Sequence, residues 1–153
     1  PILSGIRYAE QRGAAREKEE AMLNENVIKV LNESMWDLAT SADGRPNVVP
    51  VAFKEIDEEG NLHIGDVFLQ TTLANLKANG GRIALSAYNP KTLEGYQIKG
   101  TATYSAEGAY VEKFKGEVES MFKGAATAKG ALTVVPDEVI VTTPGADNKK
   151  VLV

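Results

Sequence analysis

The chain has 153 residues, 17 of them basic and 21 acidic, for a net charge of −4, and it contains no cysteine. Disulfides, thiol chemistry and thiolate metal sites are therefore excluded, and the acidic balance without a basic stripe argues against a nucleic-acid partner. No apolar run approaches the roughly 20 residues of a membrane-spanning helix, and Pro1–Arg7 lacks the apolar centre of a secretory signal, so a cytoplasmic protein with one main domain is expected.

Residues 1–23 read as a helical appendage. Ala9–Met22 is helix-prone but mostly charged and is interrupted by Gly13, the pattern of a solvated helix. The main domain is expected over residues 24–153. Asn24 is placed to cap a helix over Glu25–Glu33, with Val27, Ile28 and Leu31 on one face and Met35 continuing the stripe. Trp36–Thr40 alternates as a strand does, and Asp43-Gly44 is a hairpin turn signal. Asn47–Ile56 reads as one valine-rich strand. Pro50 within it has no N–H for a ladder, so the strand needs an edge, a bulge or a ligand there.

After the turn at Asp57–Gly60, Leu62 and Ile64 have strand spacing. Thr71 or Thr72 is expected to cap a helix over Leu73–Asn79, with Leu73 and Leu76 facing inward and Gly80-Gly81 as its left-handed stop. The amides at that helix start, with the positive end of the helix dipole, form a natural seat for an anion. Ile83 and Leu85 resume strand spacing as far as Tyr88. Gly95–Tyr104 is the next strand, where Gly100 permits a bend or a close backbone approach. Ser105 is expected to open a helix whose apolar face runs through Tyr110, Val111, Phe114, Val118, Met121 and Phe122. Ala131–Thr142 is the last strand, bent at Pro136, and Pro144-Gly145 begins a polar tail. About six strands at hairpin spacing, with helices outside the pattern, predict an α+β domain built on a mostly antiparallel split β-barrel.

The chain carries few groups suited to proton transfer or nucleophilic attack. His63 is the only histidine; between Leu62 and Ile64 it reads as a surface or edge residue rather than a triad member. Without cysteine a structural zinc site is not expected. No HExxH, GxSxG, GxGxxG or P-loop motif is present. Asp66, after Ile64-Gly65, comes nearest to an acid in apolar surroundings and reads as a turn residue. No catalytic residue is assigned. Any difficult chemistry would then belong to a bound organic cofactor.

Four pieces in order carry a family resemblance. Trp36–Thr40 followed by Asp43–Val51 resembles the opening hairpin of the flavin mononucleotide (FMN)-binding split-barrel family, the pyridoxamine phosphate oxidase-like proteins. Thr72–Asn79 with Arg82–Leu85 is similar to that family's helix and following strand, Gly95–Ala102 to its next strand, and Val141–Gly145 to a common ending. The resemblance implies a homodimer with two flavin sites at the subunit interface; lying across such a partner is the alternative to a solvated appendage. It implies that Asn47, Val48, Val49, Pro50 and Val51 lie along the isoalloxazine ring. It further implies that Asp66, Val67 and Phe68 face the flavin, that Thr71, Thr72 and Asn75 belong to the phosphate seat, and that Gln97 adds a contact. Relatives commonly place a lysine where Thr71-Thr72 stand, and losing such a contact forgoes about 1.5–3 kcal/mol. Lys54, Arg82 and Lys99 are the cations on neighbouring strands that could replace it. The resemblance implies electron or hydride transfer between a small-molecule donor and acceptor, or else a non-enzymatic binding or storage module with weak or no flavin affinity. It does not imply pyridoxamine phosphate oxidase activity, because the basic substrate-binding positions of the true oxidase have no clear match here.

Overall fold

The computed structural model describes residues 23–153. The proposed appendage therefore lies outside the described residues, except for Leu23, which is buried in the main core. The elements in chain order are α1 (Glu25–Glu33), β1 (Trp36–Ala42), β2 (Arg45–Val51), β3 (Lys54–Ile56), β4 (Leu62–Asp66), α2 (Thr71–Asn79), β5 (Arg82–Tyr88), β6 (Gly95–Ser105), α3 (Ala109–Phe122) and β7 (Gly130–Val141).

The strands form a seven-stranded sheet in the order β2-β1-β5-β6-β7-β4-β3, with every pair antiparallel. The count exceeds the expected six because Asn47–Ile56 is two strands. The chain leaves the sheet at Ala52-Phe53, and β2 and β3 lie at opposite edges. This short link ties the two edges together, and the sheet must curl to permit it. Curling is the way an antiparallel sheet encloses one face as a core. Pro50, paired opposite Asp37, stands in the edge strand β2, where a missing N–H costs no ladder bond on the open side.

Local signals act as read in several places. The Asn24 side chain accepts from the Val27 amide at 2.9 Å, and Val27, Val30 and Leu31 are fully buried, each contributing about 1.5–3 kcal/mol. Asp43 and Gly44 both have positive φ and join β1 to β2 by a two-residue turn. Gly100 stands where the β6–β7 register slips, and a Cβ there would collide with the Val135 carbonyl oxygen, so the close approach is real.

Two helix readings are corrected. Thr71 and Thr72 do not cap α2; they form its first turn after Gln70, whose side chain makes no cap bond. α3 begins at Ala109 rather than Ser105, because Ser105 is held opposite Ala131 as the last residue of β6. Val111, Phe114 and Val118 are buried in a second, smaller core with Val67, Ala128 and Ala131, but Met121 and Phe122 are exposed. α3 lies against β4 so closely that a Cβ on Gly65 would meet the Phe114 ring at 3.0 Å. The main core occupies the inner face, between the curled sheet and α1 and α2.

His63 is the largest departure from the sequence reading. It is 5% exposed, stacked on Tyr110 at 3.6 Å with the rings 8° apart. Its Nδ1 is 3.1 Å from the Thr133 hydroxyl and its Nε2 is 2.8 Å from the Asp57 carboxylate. The surface reading failed because both faces of β4 are covered, one by the main core and the other by α3. Burial disfavours the charged Asp57, but the His63 bond and the Asn61 and Glu59 amides outweigh it and hold the carboxyl below its usual range. A depressed carboxyl contributes stability that is present above its unfolded value, about 3.9, and is lost as pH falls through the folded value. Urea midpoints of the native chain and of Asp57→Asn are therefore expected to differ at neutral pH and to converge as acid takes the carboxyl through its lowered folded value. A gap unchanged on acidification would mean that the Asp57 charge contributes nothing to folding.

Candidate functional site

The site expected from the sequence joins β2 to the start of α2, and these two elements meet. The Asn47 amide donates to the Thr72 hydroxyl at 3.3 Å. One turn further on, Asn75 donates to Thr40 in β1 at 3.1 Å, and Asn79 donates to the Ser41 carbonyl at 3.0 Å. Three polar residues at helical spacing thus fasten one face of α2 to the β1–β2 hairpin. Thr72 and Asn75 are buried by these bonds, which makes them anchors of the helix. Thr71, beside them, is exposed. Because no side chain caps α2, the cap does not compete for its first-turn amides.

Along β2 the alternation is regular. Val51 is buried, Val49 and Asn47 are half-buried, and Val48 and Pro50 point outward and are exposed, Val48 at 66%. Val48 and Pro50 therefore present an apolar strip at the sheet edge. Gln97 is half-buried in β6, paired with Ser86 and Ile140. It lies two strands from β1 and is not joined to α2 by any hydrogen bond among the described residues.

The Asp66–Phe68 segment leads from β4 into α2. Asp66 is no open turn residue. It ends β4, is 2% exposed, and accepts from the Leu69 amide at 3.3 Å and from the Tyr104 hydroxyl at 2.9 Å. Burial, then the bond to Asp66, pushes the Tyr104 phenol upward, which keeps it a neutral donor at ordinary pH. Val67 is buried under α3, whereas Phe68 is 73% exposed, with its ring edge-on to Phe122 at 6.2 Å.

The cations are placed elsewhere. Lys54 donates to the Leu31 carbonyl at 3.1 Å and lies over the Trp36 ring at 4.8 Å; burial lowers its pKa. It is half-buried and engaged by α1 and Trp36. Arg82 and Lys99 line an open groove of about 660 Å³ on the outer sheet face, with Ser41, Pro46, Asn79 and Thr101. That groove is at the C-terminal end of α2, roughly 12 Å along the helix from Thr71. No lysine or arginine of the described chain is therefore hydrogen-bonded or ion-paired at the α2 mouth.

The fit to a phosphorylated flavin is partial. An apolar strip at Val48 and Pro50, the Asn47 amide beside the helix mouth, uncapped amides and the exposed Thr71 hydroxyl suit an aromatic ring with an anionic tail. No cation among the described residues is bonded at that mouth. Among the described residues no group of three or more metal-ligating side chains occurs, and no helix is long and apolar enough to cross a membrane.

The sequence model of pyridoxamine 5'-phosphate oxidase matches residues 23–146. The chain belongs to the pyridoxamine 5'-phosphate oxidase family. An uncharacterized protein of Methanocaldococcus jannaschii is 37% identical over 133 residues, which cover 85% of this chain and 87% of that one. Among solved structures, HupZ of Group A Streptococcus superposes with a TM-score of 0.70 at 23% identity, covering 82% of this chain and 98% of HupZ. An FMN-binding protein from Syntrophomonas wolfei superposes with a TM-score of 0.68 at 16% identity, over 95% of this chain and all of its own (100%). At these identities the structural likenesses establish the split-barrel fold common to the family.

Proposed function

We propose that this chain is an FMN-binding flavoprotein that works as a homodimer and passes electrons or hydride between a small-molecule donor and an acceptor. The observation that carries the reading is the hydrogen bond from Asn47 to Thr72, which draws an apolar strand edge and an uncapped helix mouth into one locus. Family membership and the FMN-binding neighbour support the choice of ligand. The flavin ring, when bound, supplies the redox chemistry; the chain's part is to seat, orient and shield it. Val48 and Pro50 offer the ring an apolar wall, and Thr71 with the first amides of α2 receives the phosphate. The dimer is supported by the outer face of β2, β1, β5 and β6, where Ala39, Val48, Ser86 and Tyr88 are exposed and no described element packs over them.

A second reading is a binding or storage module of the same fold with weak flavin affinity. It is favoured by one observation, that Lys54 is committed to Leu31 and Trp36 instead of the phosphate seat. Purification decides between the two. Under the first reading the protein is yellow, absorbs in the flavin bands and releases that chromophore on denaturation. A protein that stays colourless after incubation with FMN and gel filtration rejects it in favour of the second.

A further inference from the structure

The face of α2 turned away from Thr72 and Asn75 borders a recess of about 450 Å³. Leu73, Leu76 and Lys77 of the helix, the Gly80-Gly81 stop, Ala102 and Tyr104 of β6, and Leu132 of β7 line it. Leu73, Leu76, Lys77 and Gly80 follow the i, i+3, i+4, i+7 spacing of a single helical stripe. The volume is within the roughly 300–1,000 Å³ typical of small-molecule sites.

Its walls are mainly aliphatic, and Lys77 is the only charged residue among them. Gly80 and Gly81 both have positive φ, and a Cβ on Gly80 would meet nothing within 4 Å, so the helix exit leaves the rim open. Tyr104 contributes its ring while its hydroxyl is held by Asp66. The wall is therefore fixed rather than collapsible: Leu132 is fully buried, Leu76 and Ala102 nearly so, and the Ala102 amide is bonded to the Gly81 carbonyl at 2.7 Å.

We infer that this recess is a second ligand site, independent of the flavin seat, for a compact apolar molecule carrying one anionic group. The apolar body lies against Leu73, Leu76, Ala102 and Leu132, and the anion pairs with Lys77 at the rim. A neutral ligand would leave Lys77 unused, and a polyanion would have no second cation. The single cation beside an aliphatic pocket selects a monoanion such as an aromatic or branched carboxylate or sulfonate.

Anilinonaphthalene sulfonate, an aromatic monoanion that brightens in apolar surroundings, tests this on the full chain without added flavin. Phenylnaphthylamine, without the sulfonate, is its neutral counterpart. Saturable brightening with both dyes is expected. Lys77→Glu should weaken the sulfonate by about tenfold or more while moving the neutral dye less than twofold. Leu73→Trp, which fills the recess, should remove the brightening of both, and Phe122→Ser, at the exposed aromatic patch, should leave it intact. No saturable binding overturns the proposal. So does equal weakening of both dyes by Lys77→Glu, or loss on Phe122→Ser with retention in Leu73→Trp. Should Leu73→Trp fail to fold, the Lys77→Glu comparison alone still decides, because Lys77 is exposed.

Discussion

Thr71→Glu is expected to weaken flavin uptake by the repulsion of its carboxylate from the phosphate, and Thr71→Lys to strengthen it. Thr71 is exposed in the first turn of α2, so neither change buries a charge or leaves a partner unmet in the core. A carboxylate about 4 Å from a phosphate repels it by between about 1 kcal/mol in water and about 4 kcal/mol at a protein surface, per unit charge. That corresponds to a loss of affinity between about fivefold and a thousandfold. Lysine at the same place adds a charge-assisted contact of about 1.5–3 kcal/mol, a gain of about one to two decades. Quenching of FMN fluorescence on titration measures both, with thermal melts of the unliganded variants confirming equal folding. Equal affinities across native, Glu and Lys chains would put the phosphate elsewhere. Thr72 would be a poorer choice for this test. It is 1% exposed and bonded to Asn47, so a glutamate there would disturb the fold as well as the seat.

Trp36→Ala is expected to be the most destabilising single truncation in the main core. Trp36 is 1% exposed, its indole N–H donates to the Leu31 carbonyl at 2.8 Å, and the Lys54 ammonium stands over its ring. Removing a buried aromatic of this size typically costs about 3–5 kcal/mol. The loss also uncovers Lys54, which keeps its bond to Leu31 but loses the ring beneath it. For a domain of this length a fall in Tm of about 10 °C follows. Far-ultraviolet circular dichroism is the measurement, since Trp36 is the only tryptophan. A fall of under about 3 °C would mean that the cavity closes by repacking.

These two expectations draw on different kinds of information. The α2 helix and its mouth were legible because their parts are local: a helix start, hydroxyls and a glycine stop lie within one short stretch. The wrong detail, the threonine cap, was local too. Threonine is a common cap, but here its hydroxyl serves Asn47, which comes 25 residues earlier, and that partner has no mark in the sequence around Thr72. The placement of the nearby cations was beyond the sequence for the same reason. Lys54, Arg82 and Lys99 were near α2 in strand order, yet Lys54 turns toward Trp36, and Arg82 and Lys99 project from the outer face of β5 and β6.

The sequence by itself determined the α1 cap at Asn24, the Asp43-Gly44 hairpin, the helix stop at Gly80 and the missing ladder donor at Pro50. Each depends on the φ, the hydrogen-bonding capacity or the missing donor of the residue itself. Only the tertiary structure decided the division of Asn47–Ile56 between two sheet edges, the burial of His63 between Asp57 and Thr133, and the clasp of Tyr104 on Asp66. Two of these contacts join strands far apart along the chain, Thr133 lying 70 residues from His63 and Tyr104 lying 38 from Asp66. Residue periodicity reports which face of a strand is apolar; it is silent on which distant strand will cover that face.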